Sequence, residues 1–569
     1  MVPPRHHLLT VSVEDYYHVG AFNRLIQNRQ WYRFERRVEI GTHRTLALLD
    51  AFGLKATFFV LGWVAEQLPE LVREIAAHGH EIASKGFYHR NIRQMTPAEF
   101  REDLARAREA LERASGRRVL GYRVADLWFT PPDLWALDLL AEEGYAYDSS
   151  VGPLLRAYAA EPWRRFAHRH RSGDRDLWEF PISAVSLFGL HLPIAGGNYF
   201  RQIPQGIMRR AVARWDRTCD APYVMYFHTW ELDPDQPKIN AAPLHARIRH
   251  YRNLRDMPRI LEYYFERYPF ASIAEYLQLD TTGTGIAASA PTPRPAPAIA
   301  VTDPPVPDVR RADRIPISIA VPCYNEELIL PYLSNTLRSV EAALSREYDV
   351  HFIFVDDSST DGTWDALNEL FGSRPNCTLV RHPQNMGVAA GILTAIRSAR
   401  TEIVCSIDCD CTYDPHELAR MIPLLDDGVD LVTASPYHPK GAVRNVPRWR
   451  LAMSRSLSRL YRRVLHQKLW TYTSCFRVYR RAAFLGLELE RRGFLGVAEM
   501  LGRLDLAGAG IVEYPTTLDV RMLGRSKMKV LRTIVGHLTL LATLLRVRLS
   551  ARARGERAAV PRESSEVAS

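Results

Sequence analysis

Asp408 and Asp410 stand one residue apart at the end of an apolar run in the stretch IVCSIDCDCTYDPHEL, residues 403–418. Side chains at i and i+2 of an extended strand share a face, so both carboxylates can reach one divalent ion. Asp414-Pro415 then opens a helix with proline in its first turn. An isolated Asp-x-Asp is a weak motif, equally suited to a polar strand end and a helix cap, and its neighbours decide the case. The first half of the chain has its own chemistry-bearing strand ends: Glu14-Asp15, His89, Arg123 with Asp126, and His228-Thr229-Trp230-Glu231.

These residues need elements that bring them together. In residues 1–280, apolar strands at 8–13, 55–60, 81–84 and 119–123 alternate with helical patterns at 69–78 and 97–115. That alternation predicts parallel α/β structure, and in a barrel the strand ends converge on one mouth. In residues 315–549, strands at 316–321, 350–355, 378–381, 402–407 and 429–434 alternate with helices ending near 345 and spanning 387–399 and 415–425. This predicts a doubly wound sheet with acidic strand ends, where such sheets bind ligands. Acidic edges beside a diphosphate need a bridging cation, and they also suit ribose hydroxyls and a base imide N–H. No G-x-G-x-x-G loop follows a strand, which argues against a dinucleotide cofactor.

The 569 residues carry a net charge of +10, which allows an anionic partner. Aromatic-rich basic repeats and zinc spacings are absent, so nucleic acid is not expected. Seven cysteines, an odd number without metal-type spacing, read as reduced thiols, with Cys409 and Cys411 as packing residues beside an oxygen-ligand site. The Pro/Ala-rich residues 281–314 read as a tether, 550–569 as a disordered tail, and the N-terminus as lacking a signal peptide. Residues 530–549 suit a helix with an apolar core around 538–545 and basic flanks. That core is shorter than the ~20 residues a bilayer span needs, so the helix is expected in the headgroup layer or packed on the sheet.

VEDYYHV, KATFFVLGWVAE, HGHEIAS, GYR, YDSS, AGGNYFR and HTWELDPDQP, in this order, resemble polysaccharide deacetylases of the nodulation-factor type across nearly all of 1–280. The resemblance implies a distorted (β/α) barrel and a divalent metal, often zinc, that activates water to remove an N-acetyl group. By motif it places Glu14 on the catalytic base and Asp15 on the metal carboxylate. His89 falls on a metal histidine, Arg123 on the residue orienting the base and His228 on the late catalytic histidine. Lys85 stands where the family has a second metal histidine. An ammonium cannot replace a neutral imidazole ligand, and it would sit near Asp15 in place of the metal's charge. With Val124-Ala125 and Thr229 also off the pattern, a weakened or abolished hydrolase is expected.

VPCYNEE, VDDSSTDGT, NMGVAAGI, DCDCTYDP and RMLGRSK resemble glycosyltransferase family two over about 315–530, in the subgroup of dolichyl- and undecaprenyl-phosphate sugar transferases. The resemblance implies a GT-A fold, a nucleotide-sugar donor, Mg²⁺ or Mn²⁺, and inversion at the anomeric carbon. It places Pro322, Tyr324, Glu326, Asp356 and Asp357 around the nucleoside and Asp408 and Asp410 on metal and diphosphate, with Asp410 catalytic. Thr412 stands where many relatives have a Gln ligand. Arg521 and Lys527 fall on the basic pair that neutralises phosphates. Arg444 and Arg477 suit an acceptor phosphate, and Glu499 matches a carboxylate near the acceptor. The expectation is therefore an inverting transferase acting on a polyprenyl phosphate, peripheral on the cytoplasmic face of the membrane and tethered to a deacetylase-like barrel. Its rivals are a bifunctional transferase and deacetylase, and a carbohydrate-binding scaffold.

Overall fold

Short, fully buried runs such as HLLTVSV and TFFV make the sheet of the first half. Buried on both faces, such runs form parallel sheets covered by helices. The computed structural model describes residues 6–187, 190–283, 314–446, 448–524 and 530–553. It divides into two compact units, one of residues 1–31, 36–236 and 242–300, the other of 32–35, 237–241 and 301–569. Most of the expected tether lies outside the described residues.

The first unit contains strands β1 (His7–Val13), β2 (Thr57–Val60), β3 (Glu81–Ser84), β4 (Gly121–Tyr122), β5 (Tyr147–Asp148), β6 (His168–Ser172), β7 (Arg175–Glu179), β8 (Ala184–Leu187), β9 (Leu190–Pro193), β10 (Val224–His228) and β11 (Phe270–Ala271). Its main sheet runs β10-β1-β2-β3-β4-β5-β7-β6, with β11 also paired to β1. All these pairs are parallel except β6 with β7. The sheet curls like part of a barrel, and among the described residues β6 and β10 do not pair to close it. The helix Pro97–Ser115 matches its sequence signals. Thr96 and Glu99 form a reciprocal capping box, Gly116 ends the helix at φ 65°, and Phe100, Leu104 and Leu111 enter the core. The hairpins β6–β7 and β8–β9 were not expected: β6 and β7 are rich in charged and polar residues, and β8 and β9 are only four residues long.

The second unit contains β12 (Ile315–Cys323), β13 (Tyr348–Asp356), β14 (Cys377–Arg381), β15 (Ile403–Ser406), β16 (Leu431–Ser435), β17 (Ala442–Val443), β18 (Arg477–Arg480), β19 (Ile511–Pro515) and β20 (Thr517–Leu518). The main sheet runs β14-β13-β12-β15-β18-β16-β19, with β18 antiparallel to both neighbours. The expected helix at 415–425 is short turns around a single helical stretch, Leu418–Met421.

The C-terminal helix runs Val530–Ala553, into the residues expected to be a disordered tail. Residues Thr533–Ser550 are long and apolar enough to cross a membrane by length and composition alone, and the expected apolar core around 538–545 lies within them. The helix is apolar on two sides. Leu540, Leu541, Leu544 and His537 are buried, and the Tyr461 hydroxyl lies 2.8 Å from His537 Nδ1. Ile534, Leu538, Leu545 and Leu549 form an exposed stripe at helical spacing.

Candidate functional site

In the second unit, strand register lines up the acidic ends. Cys323 of β12 pairs with Asp356 of β13, and Ala320 with Ser406 of β15, so the segments after these strands leave the sheet at one edge. Pro322, Tyr324, Glu326, Asp356, Asp408 and Asp410 all belong to that edge. Three non-glycine residues there adopt left-handed backbone, Asn325, Ser358 and Cys411 at φ 53°, 61° and 51°. Such conformations cost energy and gather at functional sites. Asn325 and Cys411 are held in place: Asn325 Oδ1 accepts from Thr360 N at 2.7 Å, Ser359 Oγ from Asn325 N, and Asp408 O from Cys411 N.

Arg521 joins the acids. Its guanidinium contacts the Glu326 carboxylate and lies 3.6 Å from Asp410 Oδ2. The Asp519 N–H donates to the Thr412 carbonyl at 2.9 Å, which anchors the Arg521 segment to the Asp410 loop. Burial and the neighbouring Asp410 charge push the Asp408 carboxyl up from its ordinary value. Two crowded, half-buried carboxylates are a donor set that suits a hard cation. Mg²⁺ is commonly held by one or two carboxylates, with phosphates and water completing its shell. Among the described residues no three His, Cys, Asp or Glu side chains form a complete metal cage. The buried cysteines Cys323, Cys405, Cys409, Cys411 and Cys475 are free.

Several expected roles change. Asp357 does not present free oxygens to a nucleoside: they accept from Met386 N at 2.8 Å and Gly387 N at 2.7 Å, with His382 Nδ1 at 2.8 Å. Glu499, expected near an acceptor, is buried and accepts from Glu490 N, Arg491 N and Arg503 Nε at 3.1, 2.8 and 2.7 Å. The two loops these carboxylates hold abut one another. Gly387 has φ 89°, and a Cβ there would lie 2.4 Å from Gly493 N, so only glycine fits. Arg477, read as an acceptor ligand, lies in β18 with no exposed surface and donates to the Val497 and Tyr472 carbonyls, each at 3.0 Å. Arg444 is exposed beside β17, and its backbone N–H bonds Leu518 O. Lys527 lies outside the described residues. The antiparallel insertion of β18 buries Arg477, and no local pattern announces such a non-local pairing.

In the first unit, β1 sits between β10 and β2, and β3 follows β2. The register Ser12↔His228, Val13↔Val60 and Val60↔Ser84 brings Glu14, Lys85 and His228 to one edge. Glu14 is buried there. Lys85 Nζ lies 2.7 Å from Glu14 Oε2, His89 Nε2 3.2 Å from the same oxygen, and His228 Nδ1 2.6 Å from Oε1. Burial alone would raise the Glu14 carboxyl, but Lys85, His228 and His89 hold it well below its ordinary value.

Asp15 faces away, as alternation along a strand end requires. Its oxygens accept from Tyr16 N at 2.9 Å, Arg37 N at 2.7 Å and Val38 N at 3.0 Å, capping the helix Val38–Ala51. The expected Asp15 metal ligand is therefore a helix cap, and Lys85 pairs with Glu14 instead. Arg123 does not orient Glu14: it is buried and donates to Ser149 O, Ser149 Oγ and Thr10 Oγ1 at 3.0, 2.7 and 2.9 Å. A divalent metal does not fit this set, because an ammonium already occupies the carboxylate and the second acid is turned away. These groups form the floor of a cavity of about 900 Å³, which Ser12 also lines. Ser12 lies two residues before Glu14, and period-2 alternation could have found it.

Residues 318–486 match the family model described as glycosyl transferase family 2. The polyprenol monophosphomannose synthase of Mycolicibacterium smegmatis is 32% identical over 218 residues, 37% of this chain and 80% of that protein. The chain belongs to glycosyltransferase family 2. A second relative of this glycosyltransferase, the undecaprenyl-phosphate mannosyltransferase of Micrococcus luteus, is 30% identical over 37% of the chain and 85% of that protein. The glycosyltransferase carries a second kind of domain in its first half. Residues 31–130 match the polysaccharide deacetylase model, and 149–278 match a domain of unknown function, DUF3473. A solved Mycobacterium smegmatis protein described as a polysaccharide deacetylase is 20% identical, covering 51% of this glycosyltransferase and 98% of that chain, with a TM-score of 0.32.

Proposed function

We propose that the second unit moves a sugar from a nucleotide-sugar to the phosphate of a polyprenyl lipid, inverting the anomeric carbon. The first unit, on this reading, is a deacetylase-like domain whose metal site is degenerate. The observation that carries the transfer reading is the strand edge where Arg521 meets Glu326 and Asp410, with Asp408 beside them. The two relatives named for polyprenol and undecaprenyl phosphate support the acceptor.

Glu326 is placed at the edge to accept hydrogen bonds from the nucleoside, whereas Asp356, expected there too, is fully buried and holds Ser359 N and Arg381 Nε. Asp408 and Asp410 would hold Mg²⁺ or Mn²⁺, which when bound stabilises charge on the leaving diphosphate. Arg521 can turn from Glu326 to the phosphates with a bidentate fork. The acceptor phosphate oxygen attacks the anomeric carbon from the side opposite the departing nucleotide. A phosphate monoester is already ionised near neutral pH, so this attack needs no strong base. The engagement of Glu499 by three donors agrees with such an acceptor, since it leaves that carboxylate no oxygen free of a strong donor. The exposed stripe on the helix Val530–Ala553 supports work at a membrane surface.

The test incubates the full chain with Mg²⁺, bacterial lipid extract and a panel of nucleotide-sugars, and reads the lipid fraction by mass spectrometry. A polyprenyl-phosphate sugar is expected. Sugar appearing only on glycan or on a lipid hydroxyl would overturn the acceptor.

A further inference from the structure

The cavity of the first unit is built for a ligand, although its floor does not suit a metal. Trp128 and Tyr199 are half-buried in its wall and offer flat apolar faces, the surfaces on which sugar rings stack. Two further wall groups are buried without a hydrogen-bond partner among the described residues: Trp230 Nε1, a donor, and Asn198 Oδ1, an acceptor. Unsatisfied buried polar atoms call for an explanation, and a bound polyol supplies one.

The charges along the wall do not balance. Glu14 is matched by Lys85, and Glu231 by Arg201 at 2.8 Å. Asp126 accepts from the neutral Asn23 at 2.8 Å. Arg24 and Arg249 also line the cavity, are exposed, and make no ion pair among the described residues. These two guanidinium groups against the Asp126 carboxylate leave a net positive excess at the opening, and guanidinium suits carboxylate or phosphate oxygens.

We propose that this cavity binds an acidic saccharide without a metal ion, its rings against Trp128 and Tyr199 and its anionic group at Arg24 and Arg249, above a floor that carries the side-chain cations Lys85 and Arg123. The proposal rests on the reading of the first unit as metal-free, and it is independent of the transfer reaction. Lys85 keeps Glu14 neutralised, so the floor does not repel an anion, while the arginines attract it.

The test uses the full chain after EDTA treatment, with zinc, cobalt and nickel measured by mass spectrometry. Calorimetry then follows tetragalacturonate, glucose 1-phosphate and N-acetylglucosamine tetramer as probes for carboxylate, phosphate and neutral saccharide. Either acidic probe is expected to bind at least about tenfold more tightly than the neutral tetramer, with affinity falling as salt rises. The two acidic arms identify which anion is preferred. Arg24→Ala with Arg249→Ala, both at exposed positions, should remove that preference while the melting temperature stays in place. Neutral and acidic probes binding equally, binding of none of them, or an unchanged preference in the double variant would overturn the proposal. Binding that appears only on adding back zinc would overturn the metal-free reading itself.

Discussion

Asp410→Asn tests the strand-edge site with little disturbance of shape. Asp410 Oδ1 accepts the Thr412 N–H at 3.1 Å, a bond that the asparagine oxygen can keep, so the loop should hold. The lost group is the anionic Oδ2, 3.6 Å from Arg521 Nη1. At that separation and an effective dielectric near 20, one unit-charge pair is worth about 4–5 kcal/mol before solvent and desolvation reduce it. Both side chains are less than a fifth exposed, so a good part of that attraction survives. A cation replacing Arg521 would meet the same loss. Removing one preorganised charge partner of a transition state typically costs about 10²- to 10³-fold in rate, or about 2.7–4 kcal/mol. Transfer to polyprenyl phosphate, read as labelled lipid product, should fall by that amount at saturating Mg²⁺. Mn²⁺ binding, followed by electron paramagnetic resonance with UDP or GDP present, should weaken in parallel. Unchanged Mn²⁺ affinity together with an unchanged transfer rate would refute the assignment of Asp410.

Glu499→Gln should cost about 1–3 kcal/mol of stability through weakened bonds to Glu490, Arg491 and Arg503, seen as a lower melting temperature. A hundredfold loss of kcat at an unchanged melting temperature would instead mark it as a base. Replacing Ile534, Leu538 and Leu545 by Gln spares the buried Leu540, Leu541 and Leu544, and should abolish sedimentation with anionic vesicles while a melt shows the fold intact. Lys85→His should raise the affinity for zinc or cobalt, measured by competition with a chromophoric chelator; no gain would mean that Lys85 is not what excludes the metal. The Glu14 carboxyl titrates well below its ordinary value, so its pairing stabilises the fold above about pH 4.3 and is lost as pH falls through the depressed value. Glu14→Gln should therefore flatten the acid limb of a melting-temperature profile.

The two α/β units were legible because parallel strands read as unbroken apolar runs and their acidic ends stand out by contrast. The helix Pro97–Ser115 was legible to the residue, because its capping box and terminal glycine are local signals. Glu14 and Asp15 were harder, since adjacent residues point to opposite faces and only the neighbouring strands tell which face holds the site. Asp357, Glu499 and Arg477 carry residue types suited to catalysis, yet each is engaged by backbone groups 5 to 30 positions away in the chain. A charge buried to organise backbone looks the same in sequence as one awaiting substrate. The C-terminal helix stayed open between two readings for a related reason: a stripe of leucines says that a face is covered, and not whether protein or lipid covers it.

The Lys85 ammonium 2.7 Å from Glu14 has a consequence beyond the cavity it occupies. A metal ion reaches its site by mass action, so its occupancy follows the free concentration outside and drops under scarcity or competition. A cation carried on a side chain has no dissociation equilibrium of that kind. Its local concentration is fixed by the chain, and every folded copy holds one. The first unit would then be equally competent in metal-starved and metal-replete surroundings, and its shape would report nothing about metal supply.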